Sequence, residues 1–457
     1  RDLRMSRGLG DVYKRQMNKE LLFDDDIVFF HNQYYKSSVW KKMTKQMPEK
    51  GIFPSLRGES VEGVNFDEYR IHMKKLDVED QYSSGRCWIY ATCHFLRQEY
   101  YKKYQTDLLL SQEYLAFYDL LEKSNCFINY IIDHISDSIN DRIFLMLLKH
   151  PIQDAGQWDY IVNILDKYGV APQNYMMKNS QSKNTGDMIA VLSNMLRITA
   201  SNIKKEYVLK NKKADFNFIK KNEMSKIYSF LCAAMGEPPE SIEIYVGSDA
   251  QQKEKMTPRE FYHTFFPSER IKTMIPITSL SGLEMQADHA YEIEGLKNMV
   301  EGRSVRYLNL GRREFKRLIL DQLQHNMPVW FGCDSRYGVD KKKGVLDLNF
   351  YDMNQIGIQF PDREESLLYH ISELTHAMLF EGVRFDSKGR LSGWLVKNSY
   401  GPEKGNNGYL DMKDRWFDQY VYEAVIDRSL LSDDQIRIYK SDPVLLPRWH
   451  PIGTLAD

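Results

Sequence analysis

The chain has 457 residues, 42% hydrophobic and 27% charged, an ordinary globular composition with room for one large domain or several smaller ones. A formal net charge of −1 gives no overall attraction to nucleic acid or an anionic membrane, and the longest purely apolar run, Ile143–Leu148, is far too short to span a bilayer. The five cysteines (87, 93, 126, 232 and 333) are odd in number and lack Cys-x-x-Cys spacing, which argues against a disulfide framework or a zinc ribbon and fits a reducing compartment.

Residues 1–16, RDLRMSRGLGDVYKRQ, read as a translated sequencing-adapter segment rather than protein. The natural chain is expected to start at Met17, and no leader pattern follows it, so a cytoplasmic location is expected. Residues 17–80 mix acidic, aromatic and Pro/Gly segments and read as an extended N-terminal arm with short elements. Residues 81–270 read as a helical half with inserted helices. Helices are predicted over Gln112–Glu122 and Trp158–Tyr168, the second closed by Gly169 as a C-cap. Asn179–Thr185 reads as a polar loop, and Glu237-Pro238-Pro239 ends the helical run. Thr257-Pro258-Arg259-Glu260 reads as a further helix start. Residues 271–440 read as a strand-rich half, with strands at Val329–Cys333 and around Trp394. Residues 441–457 remain as a C-terminal arm. The lysine run 341–343 reads as a solvated loop.

Within this frame, Gln81-Tyr82-Ser83-Ser84-Gly85-Arg86-Cys87-Trp88 carries the clearest chemical signal. Cys87 immediately precedes an amphipathic run that reads as a helix. Unpaired N–H groups and the helix dipole at such an end favour thiolate, the nucleophilic form. Gln81 and the Cys87 N–H are the candidate donors to an oxyanion. A thiol nucleophile needs a base and the base an orienter. His376 lies on an expected strand, followed by the turn Asp386–Gly389 and a second strand ending at Asn398. Residues equidistant from a hairpin turn lie opposite each other, and the pair 376 and 398 is centred on Ser387. An Asn398 carbonyl facing His376 would fix the imidazole and aim its other nitrogen at Cys87. Taken singly, each of these residues also has an ordinary structural reading; their joint arrangement points to catalysis. No metal-ligand motif, phosphate loop or dinucleotide fingerprint is found, so neither metal nor cofactor is predicted.

These residues resemble the papain-like cysteine peptidases, and among them the bleomycin hydrolase/aminopeptidase C family. The similarity runs from about residue 20 to the end. It includes Ser83–Trp88, Leu110-Ser111-Gln112-Glu113-Tyr114-Leu115, Gly156-Gln157-Trp158, Trp330–Asp334, Leu374–Met378 and Asn398-Ser399. His376 follows Cys87 by 289 residues, against roughly 130–150 in papain, which implies large insertions. The resemblance implies an α+β papain-like core with a helical half bearing the nucleophile, a β-barrel-like half bearing His and Asn, and large helical insertions. It implies cysteine aminopeptidase activity on short peptides with a free N-terminus, in a homohexamer. Carried over by position, Cys87 is the nucleophile, His376 the base and acid, Asn398 its orienter and Gln81 the oxyanion donor. The C-terminal arm would enter the cleft, and the carboxylate at Ala456 or Asp457 would receive the substrate amine, with Asp457 removed by the enzyme itself. Rivals are a papain-like endopeptidase or acyl transferase, and a catalytically weakened nucleic-acid-binding ring. The near-neutral charge counts against the last. The chain departs from the family pattern at Asp80 (usually Asn), Lys397 (usually acidic), Tyr400 (usually Trp) and His450 (usually Asp).

Overall fold

The computed structural model describes residues 22–58, 63–210, 215–246, 252–282 and 284–456. The adapter-like segment 1–16 and Asp457 lie outside the described residues. The chain divides into two units, one made of its beginning up to Glu59 with Tyr351–Phe360, the other of Ser60–Phe350 with Pro361 onward.

The first unit corrects the expectation of an extended arm. Helices run Asp24–Lys36 and Ser38–Lys50. Three aspartates in the first turn suit the positive helix end, and the Ser37 hydroxyl accepts from the Trp40 N–H to start the second helix. The first helix buries none of its residues, so Ile27, Val28, Phe29 and Phe30 are all exposed.

The second unit joins a helical layer to a twelve-stranded mixed sheet. Its principal helices are α1 (Cys87–Tyr104), α2 (Gln112–Asp133), α3 (Trp158–Tyr168), α4 (Gly186–Leu209) and α5 (Phe216–Met235). Its longer strands are β1 (Ile275–Thr278), β2 (His289–Ile293), β3 (Arg306–Asn309), β4 (Val329–Cys333) and β5 (His376–Phe385). β6 (Leu391–Lys397), β7 (Tyr409–Lys413), β8 (Val421–Ile426) and β9 (Val444–Leu446) follow. Their order is β9-β2-β3-β1-β8-β4-β5-β6-β7, extended past β7 by Val345–Leu346 and Val339–Asp340, while Ile71–His72 pairs with β5.

Local signals mostly hold. α3 ends at Gly169, whose φ of +74° only glycine adopts readily. Thr257 and Glu260 form the expected capping box before Pro258–Phe265. Two readings change. Asn179 caps a one-turn helix, Ser180–Lys183, inside the expected loop, and a hairpin (Ile242–Val246 with Gln252–Met256) follows the Pro-Pro break.

One apolar core fills the helical layer around Trp88, Phe95 and Trp158 and reaches Trp330 on β4 and Leu379 on β5. A second, around Phe331, Phe380, Trp394 and Phe417, fills the other side of the sheet. β4 and β5 therefore serve both cores, and α1 packs on β5. This sandwich brings the start of α1 to the start of β5.

Candidate active site

The first residue of α1 is Cys87, 4% exposed. Its Sγ accepts from the Ala377 N–H at 3.4 Å, next to His376. The helix start is held from below. Arg86 is buried and donates to both Glu113 oxygens (3.0 and 2.9 Å) and to Asp154 (3.2 Å). The Trp88 indole N–H donates to the Asp154 carbonyl at 2.8 Å. A Cβ on Gly156 would lie 2.4 Å from the Trp88 ring, so only glycine lets this loop approach.

His376 begins β5 and is 3% exposed. Its Nε2 lies 2.8 Å from Asn398 Oδ1, which leaves Nδ1 as the nitrogen for the thiol. The contact expected between His376 and Asn398 is present, but the hairpin register behind it is not. Leu379 pairs with Lys397, and bulges fall between Phe380 and Gly382 and between Arg384 and Phe385. Continuing the Leu379–Lys397 register sets His376 opposite Tyr400, and these two rings do stack, with centroids 4.9 Å apart and planes 21° apart. Asn398 reaches the imidazole from just beyond the end of β6.

Gln81 is also at the site. Its backbone N–H donates to the Ser399 carbonyl (2.8 Å), and its Oε1 accepts from the Ser399 hydroxyl (2.6 Å). Its Nε2 donates to the Ser84 carbonyl at 2.7 Å, using one of two amide hydrogens. The Ser399 contacts tie the Gln81 segment to the strand half, directly after Asn398.

Burial and the helix end act on Cys87 in opposite directions. Burial pushes the Cys87 thiol up to about 11, although the N–H groups of Ala377, Trp88 and Cys87 favour its thiolate. Desolvation outweighs the helix end here. Burial also pulls the His376 imidazole down to about 4; the Asn398 bond opposes this and the Lys341 charge adds to it. Burial thus disfavours the charged form of each group, while a proton passed from the thiol to the imidazole would leave two opposite charges side by side.

The C-terminal arm is seated rather than frayed as far as Leu455. Thr454 Oγ1 accepts from the Leu374 N–H (3.0 Å), two residues before His376. The Ile452 carbonyl accepts from Gln157 Nε2 (3.4 Å) and the Tyr307 hydroxyl (3.3 Å), and Leu455 is buried. Ala456 closes the last turn, and Asp457 lies outside the described residues. Among the described residues, no group of three or more His, Cys, Asp or Glu side chains is arranged to hold a metal ion.

The model of the Peptidase C1-like family matches residues 22–453. The chain belongs to the Peptidase C1-like family. It is 30% identical to aminopeptidase C of Lactococcus lactis subsp. cremoris over 431 residues, 93% of this chain and 98% of that one. It is 34% identical to aminopeptidase C of Listeria monocytogenes (83% and 86% covered) and 30% identical to human bleomycin hydrolase (83% and 86% covered). The crystal structure of PepW from Lactobacillus rhamnosis superposes with a TM-score of 0.87 at 29% identity, covering 96% of this chain and 99% of that one. The α+β papain-like core with helical insertions, expected from the motifs, is the fold of this chain.

Sequence reasoning missed the supports of the site. The Arg86–Glu113–Asp154 ion pairs and the Ser399–Gln81 bond join residues that lie inside or beside the quoted motifs, yet nothing in their spacing says that they meet. Lys341, read as part of a solvated loop, has its Nζ 4.5 Å from the centroid of Tyr400.

Proposed function

We propose that this chain is a cysteine aminopeptidase that removes N-terminal residues from short peptides. The observation that carries the reading is the meeting of Cys87, at the start of a buried helix, with the His376–Asn398 pair at the start of β5. Names borne by the aligned aminopeptidases C and bleomycin hydrolases support the same activity.

In this mechanism His376 takes the Cys87 proton as the sulfur attacks the first peptide carbonyl. The free Gln81 amide hydrogen and the Cys87 N–H receive the oxyanion. The C–N bond then breaks, His376 returns the proton to the leaving amine, and an aminoacyl thioester remains on Cys87. A water, deprotonated by His376, cleaves the thioester and restores the thiol. Burial of both groups suits this scheme, because desolvation disfavours each ion alone and an opposite charge beside it offsets that cost. Asn398 holds the imidazole plane, and Tyr400 covers it.

Restriction to N-termini is assigned to the C-terminal arm. The carboxylate at Ala456 or, before trimming, Asp457 receives the substrate ammonium. The seating of Thr454 beside Leu374 supports a terminus close to the site. Self-trimming of Asp457 predicts a shorter intact mass for active protein than for Cys87→Ala; identical termini contradict it. A homohexamer in the cytoplasm is the accompanying proposal. The exposed apolar residues Ile27, Val28, Phe29 and Phe30 support self-association. Among the described residues no helix is long and apolar enough to cross a membrane. Light scattering gives the oligomeric state directly.

The reaction is tested with one fluorogenic aminoacyl amide, offered with a free and with an acetylated α-amine, against a Cys87→Ala control. Thiol-dependent cleavage of the free form alone is expected. Cleavage of both forms would mean an open endopeptidase-like cleft, and cleavage of neither would remove the enzymatic reading.

A further inference from the structure

The lysine run on the loop after Val339–Asp340 does not act as one solvated patch. The Lys341 ammonium lies 4.5 Å from the Tyr400 ring centroid, within cation–π range, and Tyr400 in turn stacks on the His376 imidazole at 4.9 Å. The backbone below it is fixed. The Lys341 carbonyl accepts from the Gly405 N–H (3.1 Å), and Asp340 Oδ1 accepts from the N–H groups of Lys342 (3.0 Å) and Lys343 (3.1 Å). Lys341 is exposed, and among the described residues no carboxylate lies within ion-pair distance of it. Its field reaches the catalytic ring, where it disfavours the imidazolium.

The direction of the chemistry says what meets this charge. His376 must return its proton to the leaving nitrogen, so the departing residue starts within hydrogen-bond reach of the imidazole. The acyl half stays on the side of Cys87 and Gln81. Tyr400 therefore borders the leaving half, with Lys341 above it as a cation on a flexible stem. We propose that Lys341 is a specificity residue for the leaving half of the substrate, binding a carboxylate carried by the residue after the scissile bond. That carboxylate is the free C-terminus of a dipeptide or an acidic side chain.

This inference rests on the aminopeptidase reading. The test compares kcat/KM for three matched substrates, Ala-Ala, Ala-Ala amide and Ala-Glu amide, in the full chain and in Lys341→Gln and Lys341→Glu. The parent should prefer one or both carboxylate-bearing substrates over Ala-Ala amide by about two- to fivefold, the scale of an exposed ion pair. The preference should shrink with added salt, vanish in Lys341→Gln and invert in Lys341→Glu. A preference for Ala-Ala alone identifies the terminal carboxylate, and one for Ala-Glu amide alone identifies the side chain. As a second readout, Lys341→Gln should move the acid limb of the Ala-Ala amide profile to higher pH, because a cation near His376 is gone. Substrate ratios that are the same in all three proteins overturn the proposal while leaving the aminopeptidase intact. Failure of the parent to cleave any of the three removes both.

Discussion

The helix side and the strand side of the site are built differently. Around Cys87 the backbone is locked by buried charge and close packing: Arg86 between Glu113 and Asp154, and the Trp88 ring against Gly156. Around His376 the support is a bulged hairpin, one side-chain hydrogen bond to Asn398 and a ring stacked on Tyr400. The first arrangement tolerates almost no change in shape. The second sets orientation with few contacts, so changes there should reach rate before they reach stability. Gln81 and Ser399 link the two sides.

The largest expected effect is on the helix side. Cys87→Ala should lower turnover by about 10⁴-fold or more with the fold retained, read by kcat and by thermal denaturation. Arg86→Met should leave Glu113 and Asp154 uncompensated in the interior and cost about 3–5 kcal/mol, seen as a lower denaturation midpoint. A midpoint unchanged in Arg86→Met would erase the contrast between the two sides. On the strand side, Asn398→Ala should reduce kcat by about 10²-fold with little loss of stability. Unfolding of that variant would show that the pair is structural first.

Behind the strand side lies a smaller effect with a definite sign. Lys397 is fully buried, and among the described residues its Nζ has no hydrogen-bond partner. Burial pulls its pKa down to about 8 from an ordinary 10.5, with Glu381 opposing. Folding thus favours the neutral amine. The stability it allows is present above the unfolded value and is lost as pH falls through 8. Lys397→Met should therefore stabilise the protein at pH 7, by up to about 3 kcal/mol, and the gain should shrink toward pH 10. A gain that stays flat with pH would exclude the buried ammonium as its source. The smallest effect should come from Tyr400→Leu, which keeps apolar cover but removes the stacked ring, with a severalfold loss in kcat/KM.

The sequence showed the helix side more fully than the strand side for a physical reason. The start of α1 at Cys87, the Gly169 cap and the Thr257–Glu260 box are set by residues within one helical turn of each other. The His376–Asn398 contact was found through a symmetric hairpin, yet two bulges shift the register and put Tyr400 opposite the imidazole. Bulges answer to the twist of the whole sheet, not to the turn residues. The thiol shows a related limit: the helix end is local, legible and favours thiolate, while burial under β5 is tertiary, acts in the opposite direction and leaves no local signal. The helix Asp24–Lys36 carries no stripe signal, because Ile27, Val28, Phe29 and Phe30 are consecutive and none is buried, whereas in Ser38–Lys50 the spacing of Val39, Trp40, Met43 and Met47 was a legible helical signal.

The central claim is that Cys87 carries the acyl group. Protein quenched in acid during turnover of an alanine amide and then mapped by mass spectrometry should carry an alanyl adduct on the peptide containing Cys87 and on no other cysteine peptide. An adduct on another residue, or full turnover by Cys87→Ala, would contradict the account.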